Sequence, residues 1–137
     1  MSAMFQLLGA AKRYAGAAAL HPLDLTIARG RTLVLIGPSG SGKTTLLRVV
    51  AGLLEPTRGR VRLDGRDVTG VPPHRRGVGL VFQDAVLFPH RDVAGNVGFG
   101  PQVAGLDAEA RAERVREALS LVGLGDAETR DPLTLSG

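Results

Sequence analysis

The chain has 137 residues, enough for one ordinary domain with its own core, and its 44 % hydrophobic and 22 % charged content is that of a soluble globular protein. It has no cysteine, which excludes disulfides, thiol chemistry and zinc–thiolate sites. The formal charge of +4 and a pI of about 10.6 raise the question of nucleic acid, but the arginines are scattered and almost no aromatic residues interleave them, so no nucleic-acid partner is expected.

No stretch approaches the roughly twenty apolar residues that span a bilayer, and Lys12-Arg13 breaks the apolar character of the N-terminus, which argues against a signal peptide. A cytoplasmic chain is expected, with any membrane association arising through a partner. Met4–Leu8 and Leu23–Ile27 have the pattern of short strands; the second alternates apolar Leu23, Leu25 and Ile27 with polar residues. The stretch around Gly16 between them has turn composition. Thr32-Leu33-Val34-Leu35-Ile36 is an unbroken apolar run, which suits a strand buried on both faces of a parallel sheet.

Residues 37–44 follow as Gly37-Pro38-Ser39-Gly40-Ser41-Gly42-Lys43-Thr44, with Thr45 next. This is the phosphate-binding loop pattern G-x-x-x-x-G-K-[ST]. Glycines let the backbone bend so that successive N–H groups face inward at the phosphates, and the helix that starts there adds its positive dipole end. Lys43 supplies a point charge to the terminal phosphates. The Thr44 hydroxyl is a hard oxygen ligand suited to Mg²⁺. The helix continues through Ala51 and stops at Gly52, with Pro56 just beyond. Strand, glycine loop and helix stand in the order that the pattern requires.

Arg60-Val61-Arg62-Leu63 alternates as a half-exposed strand, and Asp64-Gly65 is a hairpin turn into Arg66-Asp67-Val68. Val71-Pro72-Pro73-His74 is a rigid loop. Val78–Phe82 is a second apolar, β-prone run, with Gln83 at its C-terminal end, where ligands gather in open α/β sheets. From about Val93 the chain is helical. Asp107 can cap a helix to about Val122, with Val115, Ala118, Leu119 and Val122 as its apolar stripe and Glu109, Arg111, Glu113, Arg114 and Glu117 outward. Gly123 and Gly125 end it.

Four further segments, in order, resemble the nucleotide-binding subunit of ATP-binding cassette transporters. Lys12-Arg13-Tyr14 is similar to the site of the aromatic residue that stacks on adenine, and Val81-Phe82-Gln83-Asp84 to the Q-loop. Leu87-Phe88-Pro89-His90 precedes Val93-Ala94-Gly95-Asn96-Val97, and Leu135-Ser136-Gly137 resembles the opening of the signature motif Leu-Ser-Gly-Gly-Gln. The resemblance implies an α/β fold of the P-loop NTPase type, with a RecA-like core, an N-terminal antiparallel β subdomain and the start of a helical subdomain. Residues 1–92 would be the N-terminal part of the ATP-binding core, and 93–137 the helical subdomain, ending inside the signature motif.

The same resemblance implies roles. Tyr14 would stack on adenine. Gly37, Pro38, Ser39, Gly40, Ser41, Gly42 and Lys43 would hold the phosphates, Thr44 would bind Mg²⁺, and Thr45 would support the α-phosphate. Gln83 would face Mg²⁺ or the attacking water and report the nucleotide state to the helical subdomain. Ser136 and Gly137 would bind the γ-phosphate of ATP held by a second copy of the subunit. Phe88, Pro89 and His90 would lie where transmembrane permease subunits contact this one, and a solute-binding protein would be an indirect partner. His90 has no recognisable partner for base catalysis, and His21 and His74 have less claim. The location implied is the cytoplasmic face of the membrane, peripherally bound.

The run from Val71 to His90 resembles importers for iron(III), thiamine, polyamines, sulfate or molybdate. Three alternatives stand beside this. A soluble ABC-type ATPase acting on DNA or ribosomes should carry a large insertion or basic arm. A P-loop kinase would not need Leu135-Ser136-Gly137, or Gln83 followed by Phe88-Pro89. A non-catalytic nucleotide-binding fragment is the third. The chain stops before the acidic strand end, the water-polarising glutamate and the switch histidine of the resembled family, so a truncated N-terminal portion is expected. It should retain weak nucleotide affinity without turning over ATP. A steady-state phosphate-release assay should find no hydrolysis above background; turnover abolished by Lys43→Ala would contradict this.

Overall fold

The computed structural model describes residues 3–83 and 87–135; Asp84, Ser136 and Gly137 lie outside the described residues. The chain divides into two compact units, Met1–Val81 and Phe82–Gly137. In the first, strands β1 (Ala3–Tyr14), β2 (Ala17–Ala28), β3 (Arg58–Leu63) and β4 (Arg66–Asp67) form one antiparallel sheet in the order β2-β1-β3-β4. Helix α1 (Lys43–Ala51) is inserted between β2 and β3.

Two short turns set the register. Ala15 and Gly16 both have positive φ, 42° and 91°, and so do Asp64 (45°) and Gly65 (77°). Successive positive φ values match the twist of paired antiparallel strands, which is why two-residue hairpins use them. β1 is central, so its inward side chains are the most deeply buried. Leu7 pairs across to Leu25 on one side and Val61 on the other, and Leu7 and Val61 are fully buried. Phe5, Ala10, Leu20 and Val68 join them, and Leu46 and Val49 of α1 close the core. The Leu23, Leu25 and Ile27 face expected from alternation packs against it, half-buried.

Arg76 fixes the far end of α1. It is buried, and it ends a 3₁₀ turn over Pro73–Arg75. Its Nη1 donates to the carbonyls of Val49 (2.9 Å) and Val50 (3.1 Å), Nη2 to Thr69 (2.8 Å) and Nε to Val71 (2.7 Å). Burial pushes the guanidinium pKa down from its ordinary value, although arginine remains charged at any physiological pH. Gly52 makes room for it: a Cβ there would lie 2.4 Å from Nε.

Two expected strands do not form. Residues 32–36 and 78–82 run without a ladder, and Val34 (72 % exposed), Ile36 (92 %) and Val81 (95 %) face solvent. An apolar run makes a buried parallel strand only when neighbouring strands supply hydrogen bonds, and the sheet among the described residues is antiparallel throughout. β1 and β2, in contrast, are much longer than the short strands expected, because each runs on to its hairpin turn.

The second unit holds α2 (Val93–Val97), α3 (Phe99–Val103) and α4 (Ala108–Leu121). Asp107 caps α4 as the sequence predicts, its Oδ1 accepting the Ala110 N–H at 2.9 Å. Val115 and Leu119 pack with Val93, and Ala94, Val97, Leu124 and Leu135 lie around them. Val122, expected on the stripe, is 66 % exposed: it lies past the last helical residue, so the helical spacing no longer places it.

Replacing Arg76 by Met would strand buried carbonyls at the end of α1. The expected loss is about 1–3 kcal/mol in a urea-unfolding experiment. Arg75→Met, on an exposed neighbour, should stay within about 0.5 kcal/mol of the parent.

Candidate functional site

Residues 37–41 form an exposed loop that turns through half-buried Gly42 directly into α1. Gly42 is the pivot. It is left-handed (φ 90°), and a Cβ on it would sit 2.6 Å from the Ala19 carbonyl oxygen of β2. The loop is therefore seated on the sheet at a point where only glycine fits. The Leu46 N–H donates to the Gly42 carbonyl at 2.8 Å, which starts the helix. No side chain caps that start and the first turn carries no acid, so the helix N–H groups and the positive dipole end are left for an anion.

Lys43 folds back across the loop. Its Nζ donates to the carbonyls of Gly37 (2.7 Å) and Pro38 (2.6 Å) and to Ser41 Oγ (3.0 Å). All three acceptors are neutral, so the ammonium is held in place without its charge being cancelled. Thr44 is exposed and Thr45 half-buried, both in the first turn of α1. Pro38, Ser39 and Gly40 are on the exposed rim.

Tyr14 ends β1 beside the first hairpin turn and pairs with Ala17. Ala17 is two residues along β2 from Ala19, where Gly42 sits; at the ordinary rise that is about 7 Å along the strand and one strand spacing, about 5 Å, across. Tyr14 and the phosphate loop thus share one end of the hairpin.

Gln83 is exposed and belongs to the second unit. The Phe88 and Phe99 rings pack tilted to one another at 4.7 Å, His90 meets the Phe88 ring edge-on at 6.0 Å, and the Arg91 guanidinium lies over Phe88 (5.2 Å) and Phe99 (5.4 Å). The sequence assigns no role to the residue that organises this element. Asn96 Oδ1 accepts the Phe88 N–H at 2.7 Å, and Nδ2 donates to the carbonyls of Phe88 (3.1 Å), Arg91 (3.1 Å) and Asp92 (2.9 Å). The available signal was an asparagine inside a helical stretch, a residue that favours loops unless its amide is engaged. An open cavity of about 630 Å³ beside it is lined in part by His90, Arg91, Arg111, Arg116 and Glu128. Among the described residues, no group of three or more His, Cys, Asp and Glu side chains could hold a metal ion.

A family model described as ABC transporter matches residues 20–137. The chain belongs to the ABC transporter family. It is 52 % identical over 134 residues to the Fe(3+) ions import ATP-binding protein FbpC of Streptomyces coelicolor, spanning 98 % of this chain and 38 % of that protein. It is 50 % identical over 139 residues to the spermidine/putrescine import ATP-binding protein PotA of Frankia alni, spanning 98 % of this chain and 30 % of PotA. The solved structure of MJ1267, an ATP-binding cassette of an ABC transporter, superimposes with a TM-score of 0.87 at 25 % identity, covering all of this chain and 60 % of that one. The ABC-family fold is thus present, over a little more than a third of FbpC's length.

Gly42→Ala and Gly40→Ala separate seating from conformation. Both positions have positive φ, but a Cβ on Gly40 meets nothing within 4 Å. Gly40→Ala should cost about 1 kcal/mol, and Gly42→Ala at least about 2 kcal/mol, in far-UV circular dichroism unfolding curves.

Proposed function

We propose that this chain is the N-terminal part of the ATP-binding subunit of an ABC importer, and that its own contribution is to hold Mg²⁺–ATP. The observation that carries this is the phosphate loop: a glycine hinge seated on Ala19, an uncapped helix start, and an ammonium held only by neutral oxygens. A triphosphate would offer the Lys43 ammonium anionic acceptors in exchange for three neutral ones, adding ion-pair attraction to the hydrogen bonds. N–H groups of residues 40–45 would take the phosphate oxygens, with Thr45 at the α-phosphate.

The residues fit a magnesium ion held mainly by the nucleotide. The described residues offer the Thr44 hydroxyl and no carboxylate cage, which suits a small cation that keeps its waters and binds phosphate oxygens. When bound, the ion neutralises charge on the terminal phosphates. Gln83 would supply its side-chain oxygen to the ion or the attacking water, and Tyr14 its ring to adenine. Ser136 and Gly137 would meet the γ-phosphate of a second copy's ATP.

Residues 1–92 serve in this proposal as nucleotide-binding core and 93–137 as helical subdomain. Phe88, Pro89 and His90 would face permease subunits at the cytoplasmic surface of the membrane, with a solute-binding protein acting through them. No helix among the described residues is long and apolar enough to cross a membrane. FbpC and PotA are named for import of Fe(3+) ions and of spermidine/putrescine, yet their identities to this chain are 52 % and 50 %. What the chain shares with both would be the energy-coupling part, and solute choice would lie in other subunits.

Equilibrium binding of a fluorescent ATP analogue with Mg²⁺ tests this. The parent chain should bind; Lys43→Ala should weaken binding at least about tenfold, by loss of a charge-assisted contact. Unchanged affinity in Lys43→Ala would refute the assignment of the loop.

A further inference from the structure

We propose that Lys12 is a positioning residue for the base: its ammonium occupies one face of Tyr14, confining a purine to the other face and strengthening the stack there. This inference rests on the reading that Tyr14 stacks adenine. Lys12 and Tyr14 are two apart on β1 and so share a side of the strand. Lys12 Nζ lies over the Tyr14 ring, 5.3 Å from its centroid. Tyr14 is 48 % exposed, which leaves room for a planar ligand against it.

The lysine is held there. Its Nζ donates to the Glu55 carbonyl at 2.7 Å, in the loop that follows α1. Two neighbouring hydrogen bonds tie the same loop to the end of β1: Thr57 N–H to the Ala11 carbonyl at 2.8 Å, and Arg13 N–H to Thr57 Oγ1 at 3.1 Å. The ammonium is thus anchored to a backbone carbonyl of a loop that is itself tied to β1.

The physical effect has two parts. A ring has two faces, and a cation fixed on one excludes the base from it. The same cation draws π density toward itself, and the face of an aromatic ring is its negative part. The opposite face becomes less repulsive to an electron-rich purine. Lys12 would act through the ring and not on the phosphates.

The test is isothermal titration of the full chain with Mg²⁺–ATP and, separately, with Mg²⁺–tripolyphosphate. Lys12→Met should weaken ATP by about threefold and leave tripolyphosphate unchanged. Lys12→Arg, which keeps a cation over the ring, should restore ATP affinity. In a Tyr14→Ala background, Lys12→Met should have no further effect. Equal weakening of both ligands would show a general charge effect and overturn the proposal, as would no weakening of ATP. If Tyr14→Ala weakens ATP and Lys12→Met does not, only the role of Lys12 fails. If Tyr14→Ala leaves ATP unchanged, the stacking assignment fails and the role of Lys12 with it.

Discussion

One guanidinium decides how the phosphate loop is presented. Arg76 sits buried at the C-terminal end of α1 and gives its N–H groups to four carbonyls, two of which are in the helix's last turn. The negative end of the helix dipole is thereby covered by a cation, while the positive end is left without cap or acid. The two ends are complementary: the helix is anchored where it is negative and open where it is positive. Gly52, which ends the helix in a left-handed conformation, also leaves room for this contact, since a side chain there would meet the guanidinium. The hydrophobic face of α1, Leu46 and Val49, then presses the helix onto the sheet and holds the loop against Ala19.

The second unit solves a similar problem with a neutral group. The turn at 88–92 has backbone groups that helix or strand would otherwise pair. Asn96 takes four of them with one amide, and Asp92 caps the helix from which Asn96 projects. Phe88 and Phe99 pack tilted against one another beside this turn, with Arg91 laid over both. The result is an aromatic and cationic surface on a short turn braced by Asn96.

Local features were legible in the sequence because local chemistry causes them. Asp64-Gly65 makes its turn, Gly52 ends α1, and Asp107 starts α4, each for a reason contained in a few residues. The glycine turn at 37–42 and the helix start that follows it were equally legible, since the glycines and Lys43 act within one segment. The failures are of a different kind. Thr32–Ile36 and Val78–Phe82 have the composition of buried strands, but a strand is a relation between segments, and composition cannot say whether a partner is at hand. Arg76 and Asn96 went unnoticed because their partners are carbonyls, which every residue carries and no sequence pattern marks. The pairing of Lys12 with Tyr14 is intermediate: spacing puts them on one side of β1, but the Glu55 carbonyl that holds the lysine comes from a distant loop.

The unladdered segment at 32–36 has a consequence for the chain in solution. Its backbone is not committed to any ladder, and Val34 and Ile36 stand in water. A second molecule that lays an extended segment beside it gains hydrogen bonds and apolar burial in the same step. The net charge of +4 opposes self-association of this kind through a long-range repulsion that salt screens within about 10 Å at 0.1 M. Solubility should therefore be greatest in dilute buffer and decline as salt is added, the reverse of the salting-in seen when opposite charges hold molecules together.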